Sequence, residues 1–156
     1  MASNATWNAL SRVPMANKKR ILVVDDHAPT RALVRTILEG EKYESFEIVE
    51  AATGTECLKA MDKKGPFDLI LLDVNLPDMD GYSVCRALRT VEEKIPIVFV
   101  TAKGDMKDYA AGRAAGADSY LVKPIARASL RSIVGLFTSV ERSSRRGKGE
   151  AELTEK

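Results

Sequence analysis

Five short apolar runs, rich in β-branched residues, recur along this sequence and alternate with segments of helical periodicity. Most of the runs are nearly continuous in apolar residues, so both faces of each strand should be covered. This pattern predicts a doubly wound α/β domain in which five parallel strands lie between five helices. The predicted strands are RILVVDD, FEIVEAA, FDLILLD, IVFVT and DSYLV, at residues 20–26, 46–52, 67–73, 97–101 and 118–122.

The length of 156 residues suits one domain with a core large enough to need no disulfides. We expect that domain at residues 19–140, between a flexible extension over 1–18 and a polar tail over 141–156. The two cysteines, Cys57 and Cys85, lie in helical patterns without metal-ligand spacing, so buried free thiols are expected.

The charge of the chain is unevenly distributed. Residues 1–20 carry four basic and no acidic side chains, and residues 141–156 carry five basic and four acidic ones. Since the net charge of the whole chain is +2, residues 21–140 carry −3, which argues against a nucleic-acid-binding core. No apolar run has the ~20 residues of a membrane span, and the N-terminus lacks a signal-peptide pattern. A cytoplasmic protein without membrane or nucleic-acid partners is therefore expected.

Polar and charged residues lie at the carboxyl ends of four of the predicted strands, at the edge where an open parallel sheet binds its ligands. They are Asp25 and Asp26, Asp73, Thr101 and Lys123. Three carboxylates in one crevice repel each other unless a cation offsets their charge. Oxygen ligands of this kind suit Mg²⁺, which keeps several waters for phosphate oxygens.

A metal, an ammonium and a hydroxyl around one carboxylate are the groups needed to hold a phosphoryl group during in-line transfer. Lys123 supplies the ammonium and Thr101 the hydroxyl. The carboxylate would act as nucleophile and form an acyl phosphate. Asp73 is thus tolerated at a strand end because metal and lysine offset its charge.

The segments ILVVDD, LILLDVNLPDMDG, PIVFVTA and GADSYLVKP, with the spacing between them, resemble the receiver domain of two-component response regulators over about residues 19–140. The resemblance implies the flavodoxin-like strand order 2-1-3-4-5, which the chemotaxis regulator also has. It also implies a phosphoacceptor with self-catalysed phosphorylation and dephosphorylation, not an enzyme acting on other substrates.

The resemblance implies a role for each site residue. Asp73 would accept the phosphoryl group, and Asp25, Asp26, Asp73 and the main-chain carbonyl of Asn75 would bind Mg²⁺, for which Mn²⁺ can substitute. Lys123 would pair with the acceptor, Thr101 would bind the phosphoryl group, and Tyr120 would turn inward as Thr101 moves. A cis peptide bond is implied before Pro124. The small side chain of Ala102 would leave an access path, and those of Asn75 and Lys103 would set the phosphoryl lifetime.

The resemblance further implies a histidine kinase or histidine phosphotransfer protein as donor, an unidentified downstream protein, and a homodimer as one arrangement. The phosphorylated form would alter the surface near helix 4, strand 5 and helix 5. We expect a stand-alone receiver, because only a short polar segment follows residue 140. A piece of a longer regulator, such as a DNA-binding transcription factor or a hybrid kinase, is the alternative.

An enzyme of haloacid-dehalogenase type is a third interpretation, since such enzymes also use an aspartate at a strand end. They need a second acid two residues later, where this chain has Asn75. Three other polar residues have simpler interpretations. His27 is expected at the rim of the loop and not as a ligand, and Asp78 and Asp80 should shape the turn before Gly81 and cap the helix that follows.

Overall fold

The computed structural model describes residues 18–40, 46–102 and 106–139. These ranges contain five strands, which form one sheet in the order β2-β1-β3-β4-β5 with every neighbouring pair parallel. Both the predicted fold class and the predicted strand order are therefore confirmed. The strands are β1 Lys19–Val24, β2 Phe46–Ala51, β3 Leu69–Leu72, β4 Ile97–Thr101 and β5 Ser119–Val122.

Within the described ranges, five helices connect and follow these strands, as a parallel sheet requires of its crossovers. The helices are α1 Ala28–Glu39, α2 Gly54–Lys64, α3 Gly81–Val91, α4 Met106–Ala115 and α5 Arg127–Thr138. Helix α2 is capped by Thr53, whose hydroxyl accepts from the Glu56 amide, and α3 is capped by Asp80, whose carboxylate accepts from the Ser83 amide.

The sheet carries a hydrophobic core on each face, which explains the continuous apolar runs. Along β1, Leu22 and Val24 pack into the core beneath α2, α3 and α4. Ile21 and Val23 point the other way, into the core beneath α1 and α5. All four side chains are at most 3% exposed, so no position of this part of the strand can be polar without loss of stability.

Two predicted strands are shorter than expected at the end where their acidic residues lie. β1 ends at Val24 and β3 at Leu72, so neither strand includes its aspartates. The main chain nevertheless stays paired, because the Asp25 amide donates to the Ala51 carbonyl and the Asp73 amide to the Val24 carbonyl. Backbone hydrogen bonds to the neighbouring strands thus hold Asp25 and Asp73 in place, just beyond the last residue of each strand.

The cysteine prediction is confirmed, since Cys57 and Cys85 are buried and free. Burial raises the pKa of Cys57 to about 12 and that of Cys85 to about 11, so both are protonated at neutral pH. None of the helices within the described ranges has the length and apolar character needed to cross a membrane. The predicted extension up to residue 17 and the tail over 141–156 lie outside the described residues.

Candidate functional site

The register of the sheet places the ends of β1, β3, β4 and β5 at one edge. Val24 pairs with Leu72, and Thr101 pairs with Val122. The residues that follow these positions, Asp25, Asp73 and Lys123, therefore emerge on the same side of the sheet. The Lys123 amide donates to the Thr101 carbonyl, which continues the β4–β5 pairing into the site.

Three carboxylates meet at this edge. Oxygen atoms of Asp25, Asp26 and Asp73 all lie within 4.8 Å of one another. Asp25 and Asp73 are buried, at 2% and 5% exposure, whereas Asp26 is exposed. The cluster therefore combines two desolvated carboxylates with one that faces solvent, and a small ion or ligand can reach it from that side.

Lys123 bridges the two buried carboxylates. Its Nζ lies 2.7 Å from Oδ2 of Asp25 and 3.1 Å from Oδ2 of Asp73. The second oxygen of each carboxylate accepts from the main chain, with the His27 amide 2.8 Å from Asp25 and the Asn75 amide 3.1 Å from Asp73. Each buried carboxylate is thus fixed by one lysine contact and one backbone donor two residues further along the chain.

Burial raises the pKa of Asp73, and the nearby charge of Asp25 adds to this effect. The Asn75 amide and the Lys123 ammonium act in the opposite direction but do not cancel it. Burial would also lower the pKa of Lys123, yet its contacts with Asp25 and Asp73 outweigh burial and raise it. The lysine therefore stays charged, and one positive charge faces three carboxylates.

This donor set fits Mg²⁺. The three side chains offer only oxygen ligands, and Lys123 leaves part of their negative charge uncompensated. A hard divalent cation that uses few carboxylates and retains water suits both features. Asp25, Asp26 and Asp73 are the side chains that would hold it.

The remaining predicted site residues lie around this cluster. Thr101 is fully buried at the end of β4, whereas Ala102 is exposed immediately after it. Asn75 is exposed and forms an isolated bridge with Asp80 across the loop. The Lys123–Pro124 peptide bond is cis. Lys103 lies outside the described residues, so its predicted effect on phosphoryl lifetime stays a prediction.

Comparison with known proteins identifies the family. Residues 21–135 match the response regulator receiver domain. The probable transcriptional regulator ycf27 of Cyanophora paradoxa is 44% identical over 116 residues, and PrrA of Mycobacterium tuberculosis is 40% identical over 111 residues. These alignments cover 74% and 71% of this chain and 46% of each relative, so the chain spans about half the length of these relatives.

The chain belongs to the receiver domain family of response regulators. A solved CheY-like receiver domain protein from Methanospirillum hungatei superimposes with a TM-score of 0.70 at 30% identity, covering 78% of this chain and 94% of that one. Receiver domains are the phosphoacceptors of two-component systems, and the family binds Mg²⁺ at its acidic pocket. The predicted family and general function are therefore confirmed.

The loop that follows Asp73 in this receiver domain differs in one respect from the prediction. Asp80 caps α3 as expected, but Asp78 caps α2 instead. Its carboxylate accepts from the Gly54 amide at 2.8 Å, the Thr55 amide at 2.9 Å and the Thr55 hydroxyl at 2.6 Å. Asp78 therefore ties the loop of the acidic site to a helix that precedes it in the chain.

Asp78 should stabilise the receiver domain only where it is ionised. Hydrogen bonds from the Thr55 side chain and from the Thr55 and Gly54 amides lower its pKa to about 2. A lowered carboxyl pKa adds stability that is present above the unfolded value of about 4 and is lost as pH falls towards the folded value. At pH 7 we expect the wild type to unfold at a higher denaturant concentration than Asp78→Asn. The difference between the two midpoints should decrease below about pH 5.

The matched control is Asp62→Asn, which removes an exposed carboxylate from α2. This variant should follow the wild type at every pH. A gap between the wild type and Asp78→Asn that is equally large at about pH 3 would show that the charge of Asp78 is unimportant.

His27 lies where it was predicted. It is exposed immediately before α1, and its Nδ1 lies 2.8 Å from the Thr30 hydroxyl. Tyr120 is almost fully buried, at 9% exposure, and its hydroxyl lies 3.2 Å from that of Tyr82. Tyr82 was not among the predicted site residues, because its position as the second residue of α3 does not reveal a partner 38 residues away.

Proposed function

We propose that Asp73 is the residue that receives the phosphoryl group. The observation that carries this assignment is the position of its carboxylate, which is buried, held by the Asn75 amide and paired with Lys123. Asp25 is also buried and paired with Lys123, but Asp73 follows the central strand β3, between Asp25 after β1 and Thr101 at the end of β4. Of the three acids, Asp73 is thus the one that lies between the other acids and the Thr101 hydroxyl, a position that suits a carboxylate that forms an acyl phosphate.

The reaction is a direct displacement at phosphorus. A carboxylate oxygen of Asp73 forms the new P–O bond while the P–N bond of a phosphohistidine donor breaks. The leaving imidazole keeps the electron pair of that bond and takes up a proton. A histidine kinase or a histidine phosphotransfer protein is the proposed donor. The proposed self-catalysed dephosphorylation is attack of water on phosphorus, which breaks the P–O bond to Asp73, releases inorganic phosphate and restores the carboxylate.

Several groups of the chain assist this displacement. Asp25 and Asp26, with the main-chain carbonyl of Asn75, would hold Mg²⁺ or Mn²⁺, which supplies positive charge to the transferring phosphoryl oxygens. Lys123 keeps its charge beside the acceptor oxygen and offsets the negative charge that transfer brings. Thr101 offers a hydroxyl at the end of β4, and the exposed Ala102 leaves space beside it.

We further propose that Thr101 and Tyr120 transmit the modification to the surface formed by α4, β5 and α5. Phosphorylation adds nearly two negative charges and strong acceptor oxygens, to which the Thr101 hydroxyl can donate. The result is a shift between two arrangements of this surface. A downstream protein, or a second copy of the chain, would bind the favoured arrangement.

Intact-mass measurement after incubation with phosphoramidate and Mg²⁺ tests the assignment. The wild type should gain one phosphoryl group, and hydroxylamine should remove it because acyl phosphates react with this nucleophile. Asp73→Asn should gain none. A chelator of divalent cations should also prevent the gain in the wild type, because the site then lacks the charge that the phosphoryl oxygens require.

The control for this experiment is Asp62→Asn, which should gain one phosphoryl group at the wild-type rate. Circular dichroism should show that Asp73→Asn is folded, so that loss of modification reflects the missing carboxylate. Full phosphorylation of Asp73→Asn, or a wild-type adduct that resists hydroxylamine, would contradict the assignment.

A second candidate is the same receiver function as part of a longer regulator. The length of the relatives favours this candidate, because the alignments cover only 46% of each relative. Detection of the native protein in cell extract with an antibody against residues 19–140 would decide between the two. A species much larger than 17.1 kDa would support the longer regulator.

A further inference from the structure

Four aromatic side chains meet beneath the surface formed by α3, α4 and β5. The Phe99 ring lies 5.3 Å from the Tyr82 ring and 5.5 Å from the Tyr120 ring, measured between centroids. The Tyr109 ring lies 4.5 Å from that of Tyr120. Tyr120 therefore contacts rings contributed by β4 and α4, and we refer to these four residues as the aromatic cluster.

The hydroxyls of Tyr82 and Tyr120 form a hydrogen bond of 3.2 Å inside this cluster. The bond joins the first turn of α3 to β5 and is partly shielded from water. Tyr120 lies on the edge strand β5 and is 9% exposed, so rotation about its χ1 bond is the motion that would carry the ring towards solvent. The hydroxyl of Tyr82 is a specific partner that it would lose on leaving.

Gly112 of α4 provides the space that the inward ring needs. A Cβ atom at this position would lie 2.5 Å from Cε2 of Tyr120, 3.1 Å from its hydroxyl oxygen and 3.2 Å from Cδ2 of Phe99. Any other residue would therefore push against the Tyr120 ring in its inward position. The glycine makes this position accessible, and the Tyr82 hydroxyl makes it favourable.

We propose that Tyr82 is a positioning residue that holds Tyr120 inward before phosphorylation, with Gly112 as the required gap. None of these contacts involves Asp73 or the acidic cluster, so all of them are available to the unphosphorylated chain. The Tyr120 ring thus lies mostly inward before phosphorylation, which we call the preset arrangement. Phosphorylation then requires a smaller movement of this ring than it would if the ring lay in solvent. The link to signalling rests on the proposed function, whereas the positioning of Tyr120 does not.

The test uses the full chain carrying tyrosine with ¹³C-labelled ring ε positions. Relaxation of each ring signal by a soluble neutral nitroxide reports its exposure, and Tyr120→Phe assigns the Tyr120 signal. In the unphosphorylated protein, Tyr82→Phe should increase relaxation of the Tyr120 signal about fivefold, as expected when one partly buried hydrogen bond is lost. Unchanged relaxation in Tyr82→Phe would overturn the proposal.

Two further variants separate positioning from general packing. Tyr109→Phe also removes one hydroxyl from the aromatic cluster but keeps the ring contact, and it should leave the Tyr120 signal protected. Gly112→Ala keeps both hydroxyls but fills the gap, and it should expose Tyr120 as Tyr82→Phe does. Equal exposure of Tyr120 in Tyr82→Phe and Tyr109→Phe would overturn the assignment of Tyr82.

Addition of phosphoramidate and Mg²⁺ separates this proposal from the proposed function. On phosphorylation, relaxation of the Tyr120 signal should decrease in both proteins, but by a smaller factor in the wild type, whose ring already lies mostly inward, than in Tyr82→Phe. A decrease in the wild type as large as that in Tyr82→Phe would overturn the preset arrangement. If Asp73 takes up no phosphoryl group, the proposed function fails while the measurements on the unphosphorylated variants still decide the role of Tyr82.

Discussion

Lys123→Ala should destabilise the receiver domain by about 3 kcal/mol near pH 7.5, because it removes the charge that two buried carboxylates share. Nζ of Lys123 lies within 3.1 Å of oxygens of both Asp25 and Asp73, whose side chains are 3% and 6% exposed. Without the ammonium, both acids remain desolvated and repel each other. Because the lysine side chain is itself 23% exposed, we expect a loss of stability at the lower end of the range for breaking a buried ion pair, which is about 3–5 kcal/mol.

The loss should depend on pH in a defined direction. Burial already raises the pKa of Asp73, and removal of Lys123 takes away one of the groups that lower it. A raised carboxyl pKa means that the folded state binds protons more tightly, so stability falls as pH rises from the unfolded value of about 4. Urea midpoints should therefore show the largest deficit of Lys123→Ala at neutral pH and a smaller one at about pH 4.5.

Two comparisons test whether charge is the cause. Lys123→Met keeps the aliphatic stem and should show the same deficit, whereas Lys59→Ala, at an exposed position of α2, should stay within about 0.5 kcal/mol of the wild type. Mg²⁺ should restore part of the stability of Lys123→Ala. A deficit that is constant between about pH 4.5 and pH 7.5 would point to lost packing instead.

The edge of the sheet that carries the site was predictable from the sequence because strand ends are local features. Apolar runs that end in Asp25, Asp73 and Lys123 indicate both the strands and the direction in which they meet. The predicted ends of β1 and β3 were two residues and one residue too late, because an apolar run does not distinguish the last paired residue of a strand from the first residue of the loop.

Contacts between distant side chains were not predictable in the same way. Asp78 was expected to shape its own turn, but it caps a helix that begins 24 residues earlier in the chain. The Tyr82–Tyr120 bond spans 38 residues and joins two segments whose apolar patterns are satisfied without it. Periodicity reports which face of an element is buried and does not report which side chain it meets there.

Gly81→Ala should be the most damaging glycine substitution at the site. A Cβ atom at position 81 would overlap the main-chain carbonyl oxygen of Asp73 and lie 2.7 Å from Cα of Val74. These atoms belong to the backbone that carries the acceptor, and the Gly81 amide itself donates to the Val74 carbonyl at 2.6 Å. Because backbone cannot move aside as a flexible side chain can, we expect a loss of about 3 kcal/mol.

The same substitution elsewhere in the chain should have the opposite effect. Gly135 lies inside α5, and a Cβ atom there would meet nothing within 4 Å. Alanine favours a helix interior over glycine by about 1 kcal/mol, so Gly135→Ala should raise the urea midpoint. Since both variants add one methyl group to a helix residue, the difference in sign isolates the contact with Asp73 and Val74.

Phosphoramidate uptake should also fall in Gly81→Ala and stay unchanged in Gly135→Ala, because only the first substitution displaces the backbone of the acceptor. Intact mass measured at several times of incubation gives both rates. A Gly81→Ala protein with wild-type stability and uptake would mean that the loop after β3 adjusts freely, and the close packing of Gly81 would then have no part in holding Asp73.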